Sequence, residues 1–180
     1  MRKSAELESL LERMFGAQGK GLHEKLTSVQ GELDEATVRR IRWIATIRNR
    51  MVHEGDFAFD GTDDYLSACA EVAAALEALP ARAAEAARER ISRVLRSRYG
   101  AAHADPQDRL DHARARIPAE LAAMADRVFA LARGEGFDGY ASLATCKAFL
   151  DAAAARFEAH DPEGAPGSSD TAAPAGAPLP

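Results

Sequence analysis

Aromatic residues are scarce in this chain, at 6% of 180 residues, and Trp43 is its single tryptophan. Strands draw on aromatic and β-branched side chains, so that scarcity argues against a sheet core. Cysteine is scarcer still. Cys69 and Cys146 are the two present, far apart and without a C-x-x-C pair, which excludes a zinc knuckle or a dithiol redox motif and leaves both as small buried hydrophobes. No apolar run approaches the roughly 18 residues of a membrane span. The start, Met1 to Glu8, turns straight into an amphipathic pattern with acids, without the apolar stretch of a secretory leader. A cytoplasmic protein with no membrane partner is therefore expected. An excess of positive charge is missing too: 23 Lys and Arg against 28 Asp and Glu leave a net charge of -5, with an isoelectric point near 5.6. A protein that coats nucleic acid non-specifically needs the opposite sign.

What is abundant is alanine, which supplies nearly half of the 47% hydrophobic content and has the best helix propensity. The spacing predicts helices over 4–15, 22–30, 35–53, 63–79, 81–98 and 140–160, each with apolar residues three and four apart. Thr62 reads as the N-cap of the fourth, whose stripe would be Leu66, Cys69, Ala73, Leu76 and Leu79. Pro80 marks a segment boundary. Leu110, Ile117, Leu121, Met124, Val128 and Leu131 keep nearly a heptad register, with Pro118 able to begin a helix or kink one. The expected fold class is all-α. Residues 1–80 would form a bundle of about four helices, 81–160 a hairpin or coiled-coil-like extension, and 161–180, rich in Pro, Gly and Ala, a disordered tail.

Charge is not spread evenly. Residues 36–53, ATVRRIRWIATIRNRMVH, hold Arg39, Arg40, Arg42, Arg48 and Arg50 and no acid, while acids crowd both flanks. On a helix Ile41, Ile44, Arg48, Met51 and Val52 share one face, so Arg48 stands where a large apolar residue belongs. A guanidinium there costs desolvation unless it is paired or used at a pocket or interface. Asn49 and His53 are four apart on the adjoining face. A permanent cation, a directional amide and a side chain that exchanges protons near neutral pH are suitable parts for phosphodiester cleavage without a metal. Their bland alternative is a histidine complementing a helix C-terminus and an arginine paired to a nearby acid.

The order Arg48-Asn49-Arg50-Met51-Val52-His53 resembles the R-x4-H signature of the HEPN superfamily. The fragment Ile47 to Gly55 is most similar to a bacterial branch of unassigned function that accompanies defence and restriction systems. The resemblance spans roughly residues 5–80. It implies a helical homodimer whose two motifs meet across the interface as a metal-independent endoribonuclease site, with the ribose 2′-hydroxyl attacking the adjacent phosphate. Carried over by position, Arg48 stabilises the transition state, His53 is acid or base, and Asn49 is a polar auxiliary. Arg39, Arg40, Arg42 and Arg50 are then candidates for holding RNA. A toxin or defence effector checked by an antitoxin or other protein partner is the biological role implied. Some toxin members carry, two residues after the histidine, a tyrosine that a nucleotidyltransferase modifies; Gly55 stands there in this sequence. A non-catalytic dimerisation or interaction module and a nucleotide-binding regulator are the alternative functions.

Other features carry less. Gly16 to Gly21 lacks the spacing, hydroxyl and preceding strand of a phosphate loop. Asp56, Asp60, Asp63 and Asp64 lack calcium-loop spacing. His103 and His112 have no companion ligands in the sequence. No metal and no cofactor are expected. Arg88, Arg90, Arg93, Arg96 and Arg98 form a second basic cluster, read as a solvated helix end or, more sharply, an RNA-guiding surface.

Overall fold

The structure is a computed structural model that describes residues 2–54 and 57–162; among them it is all-α, with no strand. Its helices are α1 (Arg2–Phe15), α2 (Leu22–Val29), α3 (Glu35–His53), α4 (Thr62–Glu77), α5 (Leu79–Tyr99), α6 (Pro106–Ala113), α7 (Ala119–Ala132) and α8 (Leu143–Ala159). Among the described residues no helix is long and apolar enough to cross a membrane. Gly55, expected to end the third helix, and the tail from residue 163 lie outside the described residues.

Two hydrophobic cores organise the chain. The first gathers Leu7, Leu11, Met14, Leu26, Ile41, Ile44, Cys69 and Leu76 among others from α1 to α4. The second gathers Ile91, Leu95, Leu121, Val128, Phe129, Leu150 and Phe157 among others, with α5 packed on α7 and α8. The two adjoin where α4 meets α5 and where α1 touches α8, and Phe137 packs against both. Pro80 sits in the first turn of α5, where its missing N–H has no intrahelical partner to lose.

Two expectations are corrected. The buried stripe of α4 is Tyr65, Ala68, Cys69, Val72 and Leu76; Leu66 is 42% exposed because Tyr65 takes the inward position beside it. Thr62 is the first residue of α4 rather than its cap, and Gly61 precedes it without a side-chain cap. Of the two roles open to Pro118, it starts a new helix: Leu110 and Ile117 are buried, Arg114–Arg116 is a 3-10 turn, and Pro118 stands immediately before α7. Arg114 fastens that break, donating to Asp126 of α7 at 2.8 Å and to Asp111 of α6 at 3.0 Å. The Arg114 hydrogen bonds hold the Asp126 carboxyl below its usual range.

Two outcomes follow from this packing. Burial pushes both thiols up, so Cys69 and Cys146 should resist a disulfide reagent at about pH 8 in the native protein and react once denaturant is added; rapid native labelling of either would contradict the two cores. An Asp126→Asn variant should be less stable than the parent at neutral pH. Because the folded carboxyl titrates lower than the unfolded one, the parent's advantage is present above the ordinary carboxylate range and fades as pH falls through the folded value, which denaturation midpoints across pH would trace.

Candidate functional site

The arginine-bearing helix α3 is set at its start by a strong cap. Asp34 accepts from the Thr37 backbone N–H at 2.9 Å and from its hydroxyl at 2.7 Å, and these bonds hold the Asp34 carboxyl low. Val38, Ile41, Ile44 and Ala45 then bury one stripe in the first core. Beyond Ala45 the stripe loosens. Met51 is partly buried and Val52, expected on the inner face, is 45% exposed, as the last turn offers the core little to pack against.

Arg48 takes the inward position one turn beyond Ile44 and is half-buried, its side chain 35% exposed. Its guanidinium lies 3.9 Å from Glu8 of α1 and donates to Asn49 Oδ1 at 3.5 Å. Glu8 already has a nearer cation. Lys25 of α2, buried at 7% exposure, reaches Glu8 at 3.0 Å and Glu12 at 2.8 Å, and bonds to Glu12 and Glu8 hold its ammonium above the usual range. Arg48 is thus the outer member of a charged chain that ties three helices, and it reaches past Glu8 to the start of α2. A methyl group on Gly21 would lie 4.0 Å from Arg48 Nη1.

There the side chains enclose a recess of about 210 Å³ lined by Lys20, His23, Glu24, Arg48 and Asn49. Glu24 is turned back on its own loop, accepting the Lys20 backbone N–H at 2.8 Å. Of the three motif residues, the fold therefore brings Arg48 and Asn49 together. His53 stands one turn further along, exposed, outside the recess and without a hydrogen bond or ion pair among the described residues. Lys20 and His23 escaped the sequence reading. They lie in a loop and a short helix some two dozen residues before the motif, and only the glycines around Lys20 drew notice.

The candidate RNA-holding arginines are dispersed round α3. Arg39 pairs with Glu35 at 3.3 Å, Arg40 with Glu71 at 2.7 Å and Arg50 with Glu54 at 3.1 Å; Arg42 donates to Gln30. The segment has no acid of its own, yet the preceding turn, the following residue and α4 each supply one. Arg50 also lies 4.0 Å over the Phe57 ring. Between α3 and α4 an open groove of about 650 Å³ is lined by Arg39, Arg40, Trp43, Asp64, Ser67 and Glu71, and Trp43 is 38% exposed there. At 100° per residue Trp43 and Arg48 are about 140° apart round the helix, so groove and recess occupy different flanks.

The fold also closes His103 on His112, ring centroids 5.1 Å apart, a proximity that nine residues of sequence do not reveal. Among the described residues no three His, Cys, Asp or Glu side chains converge as metal ligands. No family model matches the chain, and no curated protein or solved structure matches it either.

Lys25→Ala should cost about 3 kcal/mol in chemical denaturation, the lower end for a broken buried pair because Glu12 is half exposed. Glu8→Gln should cost less, since Lys25 keeps Glu12; equal losses would mean that Glu12 contributes little to holding Lys25.

Proposed function

We propose that this chain is a metal-independent endoribonuclease of the HEPN type that works as a homodimer, in the role of a toxin or defence effector held in check by a protein partner. One observation carries the reading. Arg48, hydrogen-bonded to Asn49, opens on a recess that also takes Lys20, His23 and Glu24, so two cations, an amide and an imidazole outweigh one carboxylate round a space suited to a phosphate. The R-x4-H order of Arg48 and His53 supports it from the sequence side.

In this reaction an imidazole takes the proton of a ribose 2′-hydroxyl, and the 2′-oxygen attacks the adjacent phosphorus. The bond from phosphorus to the 5′-oxygen breaks, leaving a 2′,3′-cyclic phosphate, and a second imidazole returns a proton to the departing oxygen. A homodimer brings two copies of His53, which divides those roles between them. Arg48 and Lys20 stabilise the charge on the pentacoordinate phosphorane, and Asn49 orients Arg48 or a phosphate oxygen. Trp43, with Arg39 and Arg40, offers a stacking surface for bases further along the strand.

A second reading, phosphate sensing through Arg48 without cleavage, is favoured by the position of His53 outside the recess. Mixed RNA incubated with purified protein in excess EDTA separates the two. The nuclease reading expects cleavage that His53→Ala and Arg48→Ala each lower by about a hundredfold or more. Equal cleavage by parent and both variants would identify a contaminant and defeat the reading. RNA bound but uncut by the parent, with binding lost in Arg48→Ala, would select the sensor. Light scattering at micromolar concentration should give twice the chain mass; a monomer would remove the dimeric site.

A further inference from the structure

The second basic cluster does not behave as one solvated helix end. Arg90 turns to α8, donating to Glu158 at 2.8 and 2.9 Å, and Arg98 caps the α8 end by donating to the His160 carbonyl. Arg93 and Arg96 make no hydrogen bond or ion pair among the described residues and stand exposed; the Glu158 carboxyl, held low first by its hydrogen bond to Arg90, also feels the charge of Arg93. Together with Arg88 of α5 and Arg109 of α6 they line a recess of about 270 Å³, which also takes Glu85, Glu89 and Ser92. Four arginines against two glutamates leave it a net charge of +2, within a chain whose net charge is -5.

Two buried atoms at this recess lack hydrogen-bond partners among the described residues. Ser92 is 3% exposed and its hydroxyl is unpaired; Arg88 pairs with Glu85 through Nη2, but its Nε is unpaired. A buried donor left unpaired costs about 1–3 kcal/mol, so two of them at one recess are a feature that calls for an acceptor. The wall behind them is rigid. Arg109 is held by the carbonyls of His103 and Ala104, and Asp105 caps α6 by accepting from Gln107 and Asp108. Arginine forks, a hydroxyl and a net charge of +2 match the oxygens and the charge of a phosphate dianion.

We infer that the α5/α6 recess is a phosphate-binding site, with Arg93 and Arg96 as its outer clamp and the Ser92 hydroxyl and Arg88 Nε as its inner donors. It lies on the second core, apart from the α3 recess, and does not depend on the nuclease reading. Its ligand is a phosphate group, borne by a free ion, by a terminally phosphorylated nucleotide chain or by an RNA backbone.

Calorimetric titration of the full chain with inorganic phosphate, against chloride at matched ionic strength, tests it. Phosphate should bind, and the Arg93→Ala/Arg96→Ala double variant, both positions exposed and neutral for folding, should weaken it at least tenfold. Ser92→Ala should also weaken binding while leaving the ligand-free melting temperature equal or higher, because it removes an unpaired buried hydroxyl; a merely structural Ser92 would leave binding untouched. No heat beyond that of chloride, or equal affinity in parent and double variant, would overturn the site. Short RNAs with and without a 5′-phosphate then identify the source: preference for the phosphorylated one, lost in the double variant, marks a terminal phosphate, and equal binding lost in the same variant marks the backbone.

Discussion

The first half of the chain is built round one buried cation. Lys25 is buried beside the core of α1 to α4 because two carboxylates of α1, Glu8 and Glu12, meet it there, and a buried cation without such a partner is strongly destabilising. This pair sets the seating of α2 on α1. It also shapes the environment of Arg48, since a Glu8 engaged by Lys25 leaves the guanidinium only a loose partner at 3.9 Å. The motif arginine thus shares a carboxylate with a lysine more than twenty residues before it.

The second half follows a different rule. Its core is alanine-rich, Ala84, Ala87, Ala122, Ala125, Ala153 and Ala154 letting α5, α7 and α8 approach closely, with Phe129 and Phe157 filling the space that remains. Charge enters only at the rim, where Arg90 and Arg114 each bridge two carboxylates across helices. Arg93 and Arg96 stand apart from that bracing, and this separates them from arginines of the same helix that the sequence presents as one cluster.

Periodicity located the helices well because each buries a stripe, and a stripe is a local pattern. It misplaced α4 by one position: Tyr65 and Leu66 both fit an apolar face, and only the neighbouring Trp43 and Phe59 rings, 6.3 and 6.4 Å from Tyr65, show which of the two turns inward. It read a heptad across Pro118 because the residues on either side do enter the same core, from two helices. At the candidate site, the misfit of Arg48 on its stripe was legible, since an arginine among isoleucines is a local anomaly. The pairing of Arg40 was not. Glu71, which holds Arg40, belongs to a different helix.

By itself the sequence determined the all-α class, the placement of α3, the burial of both cysteines, and the motif of Arg48, Asn49 and His53, all of which rest on residues within a few turns of one another. Tertiary structure alone decided which distant charges meet. It paired Arg40 with Glu71 of α4, set Lys20 and His23 beside Arg48, left His53 outside their recess, and gathered Arg88, Arg93, Arg96 and Arg109 round the buried Ser92. A side chain's charge is written in the sequence, but its field depends on distance and burial, and those exist only once the helices have packed.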